Sequence, residues 1–124
     1  MTAVHRVVHF ELPADDPERA AAFYRAVFGW DIHKWDGPQD YWLVQTGEEQ
    51  PGIDGGILRR MDPRQGTVNT VSVDDLDAMV TTATKAGAKV VMPRMAIPGI
   101  GYLSYLSDTE GNTFGMLEPD EGAH

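Results

Sequence analysis

The clearest candidates for chemistry are His9 and Glu11, which lie two residues apart near the start of the chain. The residues from Val4 to Leu12 alternate between two kinds of side chain, which predicts a β-strand. Because successive side chains of a strand point to opposite faces, His9 and Glu11 share one face and the apolar side chains occupy the other. An imidazole with a pKa near 6.5 could bind or deprotonate a small ligand, and Glu11 could orient it.

Three interpretations of His9 stay open. It could be a hydrogen-bonded residue without chemistry, a near-neutral base that acts on an organic ligand, or a metal ligand. A catalytic zinc needs about three protein ligands, and a hard cation needs several oxygens. His9 and Glu11 offer two side chains whose Cα atoms are about 7 Å apart along the strand. The sequence therefore makes His9 a weak metal candidate and predicts no cofactor, with a divalent metal as the minor alternative.

A second group of candidates could line a concave site for a flat, apolar molecule. The segment RMAIPGIG, residues 94–101, surrounds apolar side chains with glycine and proline and predicts a lid loop. Its alternative is a loop buried by the other half of the chain or by a second chain. The aromatic residues of the strands could face a ligand or a dimer interface. The candidates chosen as ligand-binding, besides His9 and Glu11, are Trp42, Met95, Ile97 and Tyr102.

The elements that position these residues follow one plan, which is written twice. After the first strand, Asp16-Pro17 reads as an N-cap followed by proline at the first helical position, and Gly29 favours the helix end. A five-position apolar stripe predicts the buried face of this helix. The same offset separates His9 from Val68 and Asp16 from Asp75, the N-cap of a second helix. The predicted stripe consists of Ala20, Phe23, Tyr24, Val27 and Phe28.

Each half of the chain is predicted to form a strand, a helix and three further strands. This pattern gives an α+β fold of two βαβββ modules, whose open curved sheets enclose a partly polar cavity. The first module covers about residues 4–58 and the second about 67–118, with a linker at 59–66 and a frayed acidic tail at 119–124. Gly55 and Gly56 in the fourth strand indicate a bulge or, as the less favoured alternative, close approach of a backbone or ligand.

Composition narrows the classes of function. The chain has 124 residues, a net charge of -9 and no cysteine, which fits one domain without disulfides or thiolate metal sites. The negative charge argues against nucleic acid, because such binding needs lysine and arginine to neutralise phosphates. No apolar run reaches the ~20 residues of a membrane span, and no export signal is recognisable. A cytoplasmic location is expected.

The stretches HFELPADDPERAAAFYRAVFGW and DTEGNTFGMLEP, together with the paired modules, resemble the vicinal oxygen chelate superfamily of glyoxalases, bleomycin-resistance proteins and extradiol dioxygenases. The resemblance implies a divalent metal held by the first and last strands of the modules. His9 occupies the first ligand position. Val68 and Gly115, which cannot coordinate a metal, stand at two others, and the strand pattern turns Glu118 away from the cavity.

The sequence therefore predicts a small-molecule-binding protein of this superfamily that lacks the full metal site. It would act by sequestration or by metal-independent chemistry with His9 and Glu11 as the catalytic residues. One alternative is a metal-dependent lyase, isomerase or dioxygenase that uses His9 and Glu11 as partial ligands. Another is an interaction protein without a ligand. The resemblance also implies a homodimer.

Overall fold

The computed structural model describes residues 5–124; Val4, the expected first residue of the opening strand, lies outside them. The chain forms two compact units, which we call the first unit, His9–Val68, and the second unit, 5–8 with Asn69–His124. The elements follow the order strand, helix and three strands twice, so the α+β class and the two βαβββ modules are confirmed. The elements are β1 Val7–Ala14, α1 Pro17–Phe28, β2 Asp31–Lys34, β3 Tyr41–Gln45, β4 Asp54–Arg59, β5 Val68–Ser72, α2 Leu76–Lys85, β6 Lys89–Ile97, β7 Gly101–Ser107 and β8 Thr113–Pro119.

Both units use the same strand order. In the first unit the order is β2-β3-β4-β1, and β1 runs parallel to β4. In the second unit the order is β6-β7-β8-β5, and β5 runs parallel to β8. The remaining neighbours are antiparallel, so the first strand of each module always lies beside its last strand. No described helix is long and apolar enough to cross a membrane.

The helix ends confirm the capping predictions. The side chain of Asp16 accepts a hydrogen bond from the Arg19 amide at 3.1 Å, and that of Asp75 accepts one from the Ala78 amide at the same distance. Gly29 ends α1 with a φ of 70°, a left-handed conformation that favours glycine because it has no Cβ. Both helices therefore begin where the sequence places them, and α1 also ends there, whereas α2 ends at Lys85 with Ala86 rather than a glycine as its C-cap.

The buried face of α1 differs from the prediction. Ala20 and Tyr24 pack against the core, which confirms part of the stripe, whereas Ala21, which the stripe does not include, is fully buried. However, 56% of the surface of Phe23 and 60% of that of Phe28 are exposed, and Val27 is exposed as well. The small alanines sit against the sheet, whereas the large rings lie on the flank of the helix. There Tyr24, Phe28 and Trp30 stack on one another, with ring centroids 5.1–6.3 Å apart.

Two further segments differ from expectation. Residues 94–97 are not a loop, because β6 continues past Pro93 to Ile97 and pairs with β7, with register shifts on the way. The prediction of a lid loop is therefore wrong for Met95 and Ile97. The acidic tail is not frayed: Ala123 is buried, and its carbonyl accepts a hydrogen bond from the Gly99 amide at 3.0 Å. The tail packs because Gly99 offers this donor in the turn after β6.

Candidate functional site

His9 and Glu11 lie on the face of β1 that points away from helix α1. Phe10 and Leu12, the alternate residues, pack against the core of the first unit, which also contains Ala14. The shared face of His9 and Glu11 is thus confirmed by the position of their neighbours. His9 is half-buried, and only 7% of the surface of Glu11 is exposed. A strand that buries one face against a helix therefore presents an imidazole and a carboxylate on the other.

The imidazole of His9 is hydrogen-bonded to Tyr41, which comes from β3. Nε2 of His9 and the hydroxyl oxygen of Tyr41 are 2.7 Å apart. The two rings lie nearly parallel, at 13°, with their centroids 6.4 Å apart. The indole of Trp35 also contacts the Tyr41 ring in an edge-to-face arrangement, with an angle of 80° and centroids 6.5 Å apart. The sequence did not determine which face of the sheet Tyr41 and Trp35 occupy. Of the two, Tyr41 is the residue that contacts His9.

The side chain of Tyr41 extends across an intervening strand to contact His9, and Gly56 leaves the space for it. β4 lies between β3 and β1, and its Gly56 is in register with Glu11 on one side and Leu43 on the other. A Cβ placed on Gly56 would stand 2.1 Å from Cζ and the hydroxyl of Tyr41. No real side chain tolerates such a distance, so only glycine at position 56 lets the Tyr41 ring lie over β4.

Gly55 does the same on the opposite face of β4. A Cβ there would stand 2.4 Å from the ring of Phe10, which packs in the core. β4 pairs with β1 and with β3 in unbroken register through both glycines. The favoured prediction of a bulge is therefore wrong, and close approach is the correct alternative. The approaching groups are the Tyr41 ring at Gly56 and, at Gly55, both the Phe10 ring and the Phe10 backbone carbonyl oxygen, which would also stand 2.4 Å from the added Cβ.

The surroundings of His9 favour its neutral form. Burial lowers the pKa of His9 below 6.5, because the protein solvates the imidazolium less well than water does. The carboxylates of Glu11 and Asp54 oppose this effect and raise the pKa in part. Asp54 stands in register with His9 on β4, and its Oδ1 accepts a hydrogen bond from the Thr46 amide at 2.9 Å. The site thus combines a neutral base with two carboxylates that favour its protonated form.

Trp42 does not join this site. Its side chain is buried in the helix-side core with Val44 and Ile57, on the face of the sheet opposite His9. Its indole nitrogen donates a hydrogen bond to Glu18 of α1, which satisfies the polar atom within the core. The choice of Trp42 as a ligand-binding residue is corrected for this reason: alternation turns Trp42 toward the helix and leaves its neighbour Tyr41 on the side of His9.

The other three candidates belong to the second unit. Tyr102 packs on the helix-side cluster around α2, and the guanidinium of Arg94 lies 4.1 Å from the centre of its ring. This placement corrects the expectation that Tyr102 lines an open face. Met95 and Ile97 are half-buried strand residues in register with Leu103 and Gly101. Their role in ligand binding stays a prediction.

The residues present do not fit the divalent metal that the family resemblance implies. Within residues 5–124, no three or more His, Asp or Glu side chains are grouped so that they could hold a metal ion. Nε2 of His9 is engaged by Tyr41. Glu118 lies on the α2 side of β8, where its Oε1 accepts a hydrogen bond from the Leu76 amide at 2.9 Å. Val68 is a buried apolar residue, and the predicted absence of a metal cofactor stays a prediction.

Gly115 is the other expected metal-ligand position without a coordinating side chain, and its neighbours fill the space that a side chain would need. It stands in register with Thr70 and Tyr105. A Cβ at Gly115 would meet the Thr70 hydroxyl at 2.7 Å and the Tyr105 ring at 3.3 Å. A larger residue, such as the glutamate that the family resemblance implies there, would have to displace Thr70.

Similarity to known proteins agrees with the fold and the sequence motifs. Residues 6–47 match the family described as bleomycin resistance protein-like N-terminal. A glyoxylase-like domain-containing protein of Didymella fabae is 34% identical over 112 residues, which cover 83% of this chain and 85% of that protein. The putative glyoxylase CFP32 of Mycobacterium bovis is 33% identical over 88% of this chain, which spans only 42% of that relative. The chain therefore belongs to the glyoxalase/bleomycin-resistance family of the vicinal oxygen chelate superfamily.

Solved structures show the same fold at low sequence identity. The hypothetical protein BH1468 of Bacillus halodurans superposes with a TM-score of 0.73 and 11% identity, over 98% of this chain and 99% of the other. The methylmalonyl-CoA epimerase of Mycobacterium tuberculosis gives 0.70 and 17%, over 97% and 93%. At such identities the likeness concerns the fold alone, and the chemistry has to be argued from the residues of this chain.

Proposed function

We propose that this protein binds a small organic molecule on the face of the first unit's sheet that points away from helix α1, with His9 as the central polar group. The observation that carries the proposal is the hydrogen bond of 2.7 Å between His9 and Tyr41 on a sheet face turned away from the helix. The imidazole, a nearly buried glutamate and the Tyr41 ring share this face, and polar groups beside an aromatic ring are the composition of a small-ligand site.

The chemistry proposed for this site is metal-independent. A neutral imidazole accepts a proton or a hydrogen bond from a ligand, whereas an imidazolium cannot. Burial keeps His9 neutral near pH 7, and Glu11 and Asp54 favour the imidazolium once a proton arrives. The protein then acts either by holding the ligand or by taking a proton from it. His9 and Glu11 keep the roles that their spacing predicts.

Binding is tested with a panel of aromatic compounds and glycopeptides by thermal shift, because a ligand that binds only the native state raises the melting temperature. We expect at least one compound to raise it in the wild type and to lose most of its effect in His9→Ala. The matched control is His124→Ala, an exposed histidine of the second unit. If no compound acts, or if His9→Ala responds like the wild type, the proposal fails and a ligand-free interaction protein becomes the better account.

The metal-dependent alternative is tested separately. Protein purified without chelator is subjected to elemental analysis and titrated with Mn²⁺, Fe²⁺, Ni²⁺ and Zn²⁺. We expect no stoichiometric tight site, because two or more ligands are lacking. A site near one metal per chain that disappears in His9→Ala would overturn the metal-independent chemistry.

The homodimer is proposed on family grounds and on the exposed aromatic flank of α1. Phe23, Val27 and Phe28 expose more than half of their surfaces, and contiguous apolar patches often mark association sites. Light scattering that gives a monomer of 13.6 kDa would contradict the dimer. The cytoplasmic location stays a prediction.

A further inference from the structure

We infer that Tyr41 is a second functional residue of this site and that ligand protons pass to His9 through its hydroxyl group. The inference rests on the proposed function and adds a residue and a ligand class to it. The ligand class is a neutral molecule with an acidic O–H or N–H group, such as a phenol or an enol.

The position of the Tyr41 hydroxyl is the first argument. Nε2 is the outer nitrogen of an imidazole, the one farther from the backbone and the usual contact for a ligand. In His9 this nitrogen is 2.7 Å from the phenol oxygen. A ligand that would otherwise bind Nε2 of His9 therefore finds the Tyr41 hydroxyl at that atom and contacts the phenol oxygen instead. The ligand can transfer its proton directly to the phenol oxygen of Tyr41, and Tyr41 can transfer its own proton to His9.

The absence of a cation on this face is the second argument. In the first unit, the strand positions that share the face of His9 include the carboxylates of Glu11 and Asp54 but no lysine or arginine. An anionic ligand would enter against the carboxylates of Glu11, Asp31 and Asp54. A neutral ligand enters without that cost. The positions concerned are His9, Glu11 and Pro13 on β1, Asp31 and His33 on β2, Tyr41, Leu43 and Gln45 on β3, and Asp54, Gly56 and Leu58 on β4.

The proton transfer balances in charge and atoms. The ligand O–H or N–H bond breaks and its proton joins the phenol oxygen of Tyr41, while the proton that Tyr41 held moves to Nε2 of His9. Tyr41 ends as a neutral phenol, His9 becomes an imidazolium, and the ligand keeps the electron pair as an anion. Glu11 and Asp54 stabilise the imidazolium. Protonation of the ligand anion by the reverse sequence restores the starting state.

Gly56 is the positioning residue for this pair. The phenol crosses β4 directly above it, and an added Cβ would overlap Cζ and the hydroxyl of Tyr41 at 2.1 Å. β4 has backbone partners on both sides, so the strand cannot shift without breaking two ladders. A methyl group at position 56 must therefore displace the Tyr41 ring and with it the hydroxyl.

The tautomer of His9 tests the inference without any ligand. If the Tyr41 hydroxyl donates to Nε2, the proton of the neutral imidazole resides on Nδ1, which ¹⁵N NMR distinguishes from the Nε2–H form. We expect Tyr41→Phe and Gly56→Ala to shift the tautomer ratio toward Nε2–H by about fivefold, the factor for one neutral hydrogen bond. Tyr24→Phe and Gly52→Ala, matched changes elsewhere in the first unit, should leave the ratio unchanged.

A wild-type His9 that is already in the Nε2–H form, or a ratio that Tyr41→Phe does not move, overturns the inference. Should Gly56→Ala fail to fold, Tyr41→Phe still decides, because it keeps the ring and removes only the hydroxyl.

4-Nitrophenol is the second probe, because its ionised form absorbs in the visible range. We expect the wild type to bind it and to raise its ionised fraction, and Tyr41→Phe to bind it without ionising it. If Tyr41→Phe ionises the probe like the wild type while His9→Ala does not bind it, the role of Tyr41 is refuted and the proposed function stands. Binding that is unchanged in His9→Ala refutes the proposed function itself. If the wild type does not bind the probe, the tautomer measurement alone decides.

Discussion

The exposed flank of α1 gives the sharpest test of the fold, through the substitution Phe23→Ala. A phenylalanine buries about 150–250 Å² when fully enclosed. With 56% of its surface exposed, Phe23 buries a little under half of this, roughly 90 Å². At about 25 cal/mol per Å² the burial stabilises the folded state by roughly 2 kcal/mol as an upper bound. Alanine also has the higher helix propensity, by roughly 0.5 kcal/mol. The expected loss is therefore at most about 1.5 kcal/mol.

Ile57→Ala is the matched core substitution in the same unit. Ile57 is 0% exposed and lies in the helix-side core, so its truncation removes transfer free energy and leaves a cavity. The expected loss is about 2–5 kcal/mol. Equilibrium unfolding in urea, with equal slopes for wild type and variants, measures both values.

A loss of 3 kcal/mol or more for Phe23→Ala would refute the reasoning, because a side chain this exposed cannot contribute so much by itself. Stability that also rises with protein concentration would then identify a second copy of the chain as the cover, since association stabilises by mass action. Stability that is independent of concentration would mean that α1 buries Phe23 against its own sheet, and the described packing of the helix would be wrong.

Two further predictions concern single polar groups. In the folded protein the pKa of His9 lies below 6.5, the value of an unperturbed histidine. As the pH falls below 6.5, the unfolded chain therefore binds more protons than the folded protein does. The wild type should lose stability relative to His9→Gln from about pH 6.5 down to the folded pKa and no further below it. Urea unfolding at several pH values checks this, and a wild type that instead loses stability relative to His9→Gln as the pH rises through this window would contradict it. Glu118→Ala removes the acceptor of the Leu76 amide at the start of α2 and should cost about 1–3 kcal/mol, whereas Glu118→Gln keeps an acceptor and should cost less. Equal losses in the two variants would show that the hydrogen bond contributes nothing.

The predicted site shows where inference from the sequence is strong. His9 and Glu11 could be placed on one face because alternation in a strand is a local property of the backbone. The same argument turned Glu118 away from Gly115, and the hydrogen bond from Leu76 to Glu118 on the α2 side agrees with it. The face of Trp42 depends on which side of β3 receives helix α1, and alternation within the strand does not determine that side. The buried position of Trp42 beside Ile57 settles that question.

Helix α1 shows a second limit. Its apolar stripe was read from spacing, and the spacing does predict a helix with one apolar side. Which residues of that side touch the sheet depends on how the helix is rotated on it. Ala21 makes the closest approach because it is small, and the rings of Phe23 and Phe28 are thereby carried to the flank. Spacing alone cannot distinguish a buried stripe from a half-exposed one.

The sequence by itself determined the repeated strand-helix plan, the helix caps at Asp16 and Asp75, and the pairing of His9 with Glu11 on one face. Each follows from interactions between residues close in the chain. Only the tertiary structure decided that Tyr41 meets His9. The two residues are separated by 32 positions, and a third strand lies between theirs. Their contact requires a strand order that no local pattern encodes and a glycine at position 56 that leaves room for the ring.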